Sequence, residues 1–168
     1  KIEVVVNITT NDRIISIPNS TACPGVSVQI PVNIDNAEDV AGFQCTVTYD
    51  PAVLQATAPA KGTLTSGWEL GANNYNINNT EGWINIATYD PDLEELPDGG
   101  GSLILLNFNV VGVPGDTAFL TFTMAKITNS NAGEISRNID DGSFHITGYS
   151  ISGKVTLVGG AGKVTDVV

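Results

Sequence analysis

The sequence predicts an all-β fold, a single β-sandwich, and three observations carry that expectation. Two segments alternate apolar and polar residues with a period of two. No window sustains apolar residues at the three-and-four spacing of a helix, and Val, Ile, Thr and Asn stand where helix formers would be needed. Turn residues recur at intervals typical of a sandwich.

The first alternating segment places Val26, Val28, Ile30, Val32 and Ile34 on one face, with Ser27, Gln29, Pro31 and Asn33 on the other. Pro31 cannot donate to a ladder, so an edge or a break in pairing is expected there. The second sets Phe43, Cys45, Val47 and Tyr49 inward against Gln44, Thr46 and Thr48. Tyr49-Asp50-Pro51 ends it, because Pro51 drives Asp50 out of helical geometry and an Asp side chain suits a turn. Val53 and Leu54 are expected to form a short turn of helix that plugs the sandwich end. Further strands are expected at 2–8, 14–17, 63–68, 75–77, 83–89, 103–111, 118–127 and 143–147.

Residues 90–101 form one long insertion rich in Pro, Asp, Glu and Gly, read as an exposed loop. Residues 1–148 make one sandwich, and residues 149–168 read as a linker or the first hairpin of a following module. The chain opens at Lys1 with no initiator Met and no basic-plus-apolar leader, so it reads as a mature or excised piece of something longer.

The 168 residues, 42% hydrophobic, suffice for one real core. A formal net charge of −11 repels phosphate backbones and anionic headgroups, so neither nucleic acid nor membrane insertion is expected. No apolar run approaches the ~20 residues of a membrane helix. Cys23 and Cys45 could close a loop as a disulfide; otherwise Cys45 is a small buried apolar residue and Cys23 a turn residue. Asn7, Asn19 and Asn78 head glycosylation acceptor patterns, compatible with secretion.

Several stretches occur in order: Pro24-Gly25 leading to Val28-Gln29-Ile30-Pro31-Val32, then Val40-Ala41-Gly42-Phe43 through Tyr49-Asp50-Pro51-Ala52-Val53-Leu54, then Gly82-Trp83-Ile84-Asn85-Ile86-Ala87. Gly101-Ser102-Leu103 through Phe108-Asn109-Val110 and Asp141-Gly142-Ser143-Phe144-His145-Ile146 complete the series. Over roughly residues 12–147 the chain resembles the cohesin family, whose modules receive dockerin modules in cellulosomes and other surface assemblies. The resemblance implies a flattened sandwich of about nine strands with jelly-roll topology, an architecture shared with carbohydrate-binding modules. It implies a non-catalytic role, a dockerin-containing partner and a place in an extracellular or cell-surface complex. This chain has no calcium-loop pattern, so calcium is expected on the dockerin and no cofactor here.

By position, the resemblance selects Gly42, Gln44 and Thr46, then Asn85, Ala87 and Tyr89, as the partner-binding face. Parity agrees, since Asn85 and Ala87 alternate with Ile84 and Ile86. Asn73, Tyr75, Thr121, Thr123 and the 131–134 segment with Asn131 and Glu134 extend the patch. Tyr89 is a candidate anchor, or else merely closes the rim.

An enzyme would need a reactive constellation. His145 is the single histidine and alternation places it on the solvent side. Asp90, Asp92, Glu94, Glu95 and Asp98 cluster on one loop with nothing to mark a sugar-cleaving cleft. Polysaccharide is the rival partner, through Trp83, Tyr89 and Trp68 as stacking aromatics. A plain structural spacer would show the same pattern.

Overall fold

In a computed structural model the described residues are 13–149, so the strand expected at 2–8 and nearly all of 149–168 lie outside them. Eleven strands are described: β1 (Arg13–Ser16), β2 (Ser20–Ala22), β3 (Ser27–Ile34), β4 (Gly42–Thr48), β5 (Leu54–Lys61), β6 (Tyr75–Asn78), β7 (Trp83–Tyr89), β8 (Gly101–Val110), β9 (Thr117–Thr128), β10 (Arg137–Asp140) and β11 (Gly142–Ile146). They form a five-stranded sheet ordered β10-β1-β3-β8-β5 and a six-stranded sheet ordered β2-β11-β9-β4-β7-β6. The two sheets make a jelly-roll β-sandwich, as expected; the count exceeds nine because β2 and β10 are short.

The core lies between the sheets. Ile30, Val32, Ile34, Ile104, Leu106 and Phe108 of one sheet meet Phe43, Cys45, Val47, Ile84, Ile86, Phe122 and Phe144 of the other, all buried. Each such aliphatic or Phe side chain contributes about 1.5–3 kcal/mol by leaving water, so the parity of β4 and β7 cannot slip by one residue without turning their apolar rows outward.

At two places lying side by side, β1 to β2 and β10 to β11, the chain crosses directly from one sheet to the other. β1 pairs in parallel with β10, and β2 with β11; at the crossing the Ile17 amide donates to the Asp140 carbonyl at 3.0 Å. A Cβ on Gly142 would lie 2.5 Å from the Ile17 carbonyl oxygen, so the two crossing segments can touch only through a glycine.

Several expectations need correcting. Residues 63–68 are a loop, and the chain instead pairs at β5, where no strand was expected. Val26 precedes β3 and is exposed. The break in pairing expected at Pro31 is present, since Pro31 sits in a stretch of β3 bonded only to β8 and β1 reaches no further than Asn33. Around Val53 there is a single tight turn and no helix: the Val53 and Leu54 amides both donate to the Asp50 carbonyl, and both side chains are buried. Cys23 and Cys45 are not bridged. Cys45 is buried in β4, and burial pushes its thiol well up, whereas Cys23 lies 3.9 Å from the Thr147 hydroxyl.

Candidate functional site

The Tyr49-Asp50-Pro51 segment has a structural role. Tyr49 packs edge-on against Phe108, centroids 5.1 Å apart, and its hydroxyl donates to Asn79 Oδ1 at 2.6 Å. The same Oδ1 accepts from the Ala56 amide at 2.8 Å, and Asn79 Nδ2 donates to the Ala56 carbonyl at 3.0 Å. Asn79 thus ties the β6–β7 turn of one sheet to β5 of the other. In that turn Gly82 has φ +74, and a Cβ there would fall 2.2 Å from the Tyr49 carbonyl oxygen. Asn78 Oδ1 accepts from the Thr80 and Glu81 amides, both at 3.0 Å. Asn19 Oδ1 accepts from the Ser143 amide and hydroxyl, both at 2.9 Å, so these two acceptor asparagines hold turns together.

This framework holds up the outer face of the six-stranded sheet. Across β4 and β7 the register pairs Gly42 with Tyr89, Gln44 with Ala87, Thr46 with Asn85, and Thr48 with Trp83. The residues between them, Phe43, Cys45, Val47, Ile84 and Ile86, are buried, so these four pairs point outward. Asn85 Nδ2 donates to Thr46 Oγ1 at 2.7 Å and locks the middle of the face flat. On the far side of β4, β9 shifts register between Thr46 and Val47. A bulge there places Thr123 and Met124 together opposite Thr46, between outward Thr121 and Lys126.

The sequence-selected residues divide clearly. Gln44, Thr46, Asn85, Ala87, Tyr89, Thr121 and Thr123 share the face, with Tyr89 46% exposed. Gly42 is on the row but covered, since a Cβ would meet Thr128 Oγ1 at 2.6 Å; it offers no side-chain surface. Tyr75 does not belong to the face: it pairs with Ile86 and packs on the core, and its neighbour Asn76, paired with Asn85, is the outward residue. Asn73 is in the exposed turn ahead of β6. Asn131 tips the exposed turn after β9, and Glu134 is ion-paired with Lys126 at 3.6 Å and Arg137 at 2.6 Å. Trp68 is no stacking aromatic, because it is 2% exposed inside the 62–70 loop.

Sequence reasoning missed Thr48, Asn76, Lys126, Thr128 and Phe119, the last 72% exposed on β9 beside Ser143. Thr48 and Phe119 follow from the same alternation that placed Gln44 and Thr121, so their signal was present; Lys126 and Thr128 do not, because the bulge at Thr123-Met124 shifts the parity of β9. Asn76 escapes sequence reasoning because β6 has only four residues, too few for alternation to decide whether Tyr75 or Asn76 faces outward.

Two depressions mark the ends of this face. One, of about 200 Å³, is lined by Gly42, Gln44, Ala87, Tyr89, Lys126 and Thr128 among others. The 90–101 loop begins directly after Tyr89, at this end of the face. Asp90 Oδ1 accepts from the Asp92 and Glu94 amides, Leu96 donates to the Val40 carbonyl at 2.8 Å, and Glu95 Oε1 accepts from the Ser130 amide at 3.0 Å and hydroxyl at 2.7 Å. Those two bonds hold the Glu95 carboxyl below its ordinary range. The Asp92 and Glu94 side chains are exposed. The other depression, of about 450 Å³, surrounds Trp83 at the opposite end.

His145 is exposed, its Nδ1 3.0 Å from the Thr117 hydroxyl. Among the described residues no group of three or more His, Cys, Asp or Glu could hold a metal ion.

A sandwich that presents one flat, largely uncharged sheet face between two shallow depressions defines the class: a β-sandwich binding module. The family model described as Cohesin domain matches residues 14–146, and the chain belongs to the cohesin family, a family of non-catalytic binding modules. Among solved structures it is similar to a non-cellulosomal cohesin from the hyperthermophilic archaeon Archaeoglobus fulgidus, with 23% identity, 81% of this chain and 91% of that one covered, and a TM-score of 0.66. It is similar also to a Coh-OlpA–Doc918 type I cohesin–dockerin complex from Clostridium thermocellum, with 18% identity, 81% and 99% covered, and a TM-score of 0.67. The seventh ScaB type I cohesin from Pseudobacteroides cellulosolvens gives 15% identity, 87% and 99% covered, and a TM-score of 0.68. No match was found among curated proteins.

Proposed function

We propose that this cohesin is the receptor for a dockerin-type module, which docks on the outer face of the six-stranded sheet in an extracellular or cell-surface assembly. The observation that carries this is the outward pairing of Gln44 with Ala87 and of Thr46 with Asn85 beside half-exposed Tyr89. Such a surface is flat, side-chain hydrogen bonds hold it, and desolvating it buries no unpaired charge. Tyr89 supplies the aromatic anchor and the surrounding threonines the complementarity. Several of the structures with this fold are cohesin–dockerin complexes, which adds support. The acidic 90–101 loop, which follows Tyr89 directly, favours a partner that brings Lys or Arg to that end, where it would speed association at low salt.

Calcium belongs on the partner in this proposal, folding its loops. The test is calorimetric titration of the protein with a panel of dockerin modules, in calcium and again in chelator. At least one dockerin should bind in calcium alone, and Gln44→Arg, which sets a long charged chain in the middle of the face, should weaken it tenfold or more. Failure of every dockerin to bind would leave the module a spacer.

A further inference from the structure

The Trp83 end of the face differs in its chemistry from the Tyr89 end. The depression of about 450 Å³ is lined by Thr46, Thr48, Asn76, Trp83, Asn85 and Thr123, none of them charged. That volume is within the ordinary range of small-ligand sites, ~300–1,000 Å³. Trp83 is partly exposed, and its ring is fixed: Nε1 donates to Glu81 Oε2 at 2.8 Å, an oxygen that also accepts from Asn78 Nδ2 at 3.0 Å. With its N–H already used, the indole offers the site only its apolar surface.

The polar groups around it are set but not spent. Asn85 Nδ2 is committed to Thr46, which leaves Asn85 Oδ1 as an acceptor. The Thr48 and Thr123 hydroxyls donate to the Thr121 and Thr46 carbonyls, at 3.3 and 3.4 Å, and keep lone pairs for an incoming hydroxyl. Asn76 is exposed on the edge strand β6, with its amide turned to the same side. An apolar side chain covering this site would strip water from two carboxamides without replacing its hydrogen bonds. A ligand with an apolar ring face and a rim of neutral hydroxyls would satisfy both the indole and the amides.

We infer that the Trp83 depression is a binding subsite for a neutral pyranose ring of an oligosaccharide or polysaccharide. The ring's C–H face lies on the indole, while its hydroxyls meet Asn76, Asn85, Thr48 and Thr123. A single aromatic plate gives weak binding, with a Kd of order 1 mM. The subsite shares Thr46, Asn85 and Thr123 with the proposed docking face, but its stacking plate, Trp83, lies six residues along β7 from Tyr89, roughly 20 Å at ~3.3 Å per residue.

The chain has two tryptophans, and Trp68 is sealed in the core, so a ligand-induced change in emission reports Trp83. The experiment titrates the protein with cellohexaose, xylohexaose and mannohexaose up to about 10 mM, tenfold above that Kd, following emission and backbone amide shifts. At least one sugar should give a saturable change that moves the Asn76 and Asn85 amides. Tyr89→Ala should keep it, Trp83→Ala should lose it, and Asn76→Ala, on an exposed edge, should weaken it at least threefold while the fold is unchanged. No response to any of the three sugars, or a response that survives Trp83→Ala, would overturn the inference. So would a Trp83→Ala variant that loses only dockerin affinity, because the depression would then belong to the protein partner.

Discussion

Replacing Tyr89 with Ala tests the Tyr89 end of the face most directly. The side chain is 46% exposed in the free module, at the end of β7 opposite Gly42. If a tyrosine presents roughly 200 Å², about 90 Å² remains for a partner to cover, worth about 2 kcal/mol at ~25 cal/mol per Å². That predicts a rise in Kd of about 30-fold. The residue points away from the core, so the urea midpoint should move little, by the equivalent of less than about 1 kcal/mol. Calorimetry of wild type and Tyr89→Ala against a dockerin that binds wild type in calcium measures the change. A variant that folds normally and binds within twofold of wild type would refute the placement of the anchor.

Three further outcomes follow from the geometry. Asn79→Ala removes three hydrogen bonds, two joining the sheets at Ala56 and one to Tyr49, and should cost about 3 kcal/mol in chemical denaturation; a loss under about 0.5 kcal/mol would contradict its bridging role. Because Cys45 is buried with a raised pKa and Cys23 is only half-buried, one thiol should react with a thiol reagent in the native protein and two after unfolding; no reactive thiol in either state would mean a disulfide. The Glu95 carboxyl is held low by Ser130, so its contribution to pinning the 90–101 loop is present above the ordinary Glu range and is lost only as pH falls through the depressed folded value. The Ser130 amide shift should therefore titrate with a midpoint below that of a free Glu, and a midpoint at or above it would exclude the clasp.

Much of the architecture was legible because strand parity is a local property. Side chains alternate across a pleat whatever the partner strand, so Val47 inward and Thr46 outward follow from β4 alone, and Asn85 and Ala87 outward from β7. The same rule failed where apolar residues are few. β5 reads Leu-Gln-Ala-Thr-Ala-Pro-Ala-Lys; it pairs only with β8, at the sheet edge, and Pro59 sits at its register shift, so nothing in its own pattern announces a strand. In β6, Tyr75 and Ile77 alternate with Asn76 and Asn78, but two apolar residues in a four-residue strand are too few to settle which row is buried. Trp68 was misread because a loop's orientation has no period: the Thr65 hydroxyl donates to the Leu103 carbonyl and folds 62–70 down over the core.

The sequence by itself determined the sandwich, the inward and outward rows of its long strands, the acidity of the surface and the family resemblance, since all of these rest on residue type and nearest neighbours along the chain. Only the tertiary structure decided that β4 lies between β7 and β9, that a bulge sets Thr123 and Met124 together, and that Asn76, Trp83 and Thr48 converge on one depression while Tyr75 and Trp68 leave the surface. Those facts depend on pairings between strands tens of residues apart. Their register is settled by which apolar rows can be buried together, and no single segment carries that information.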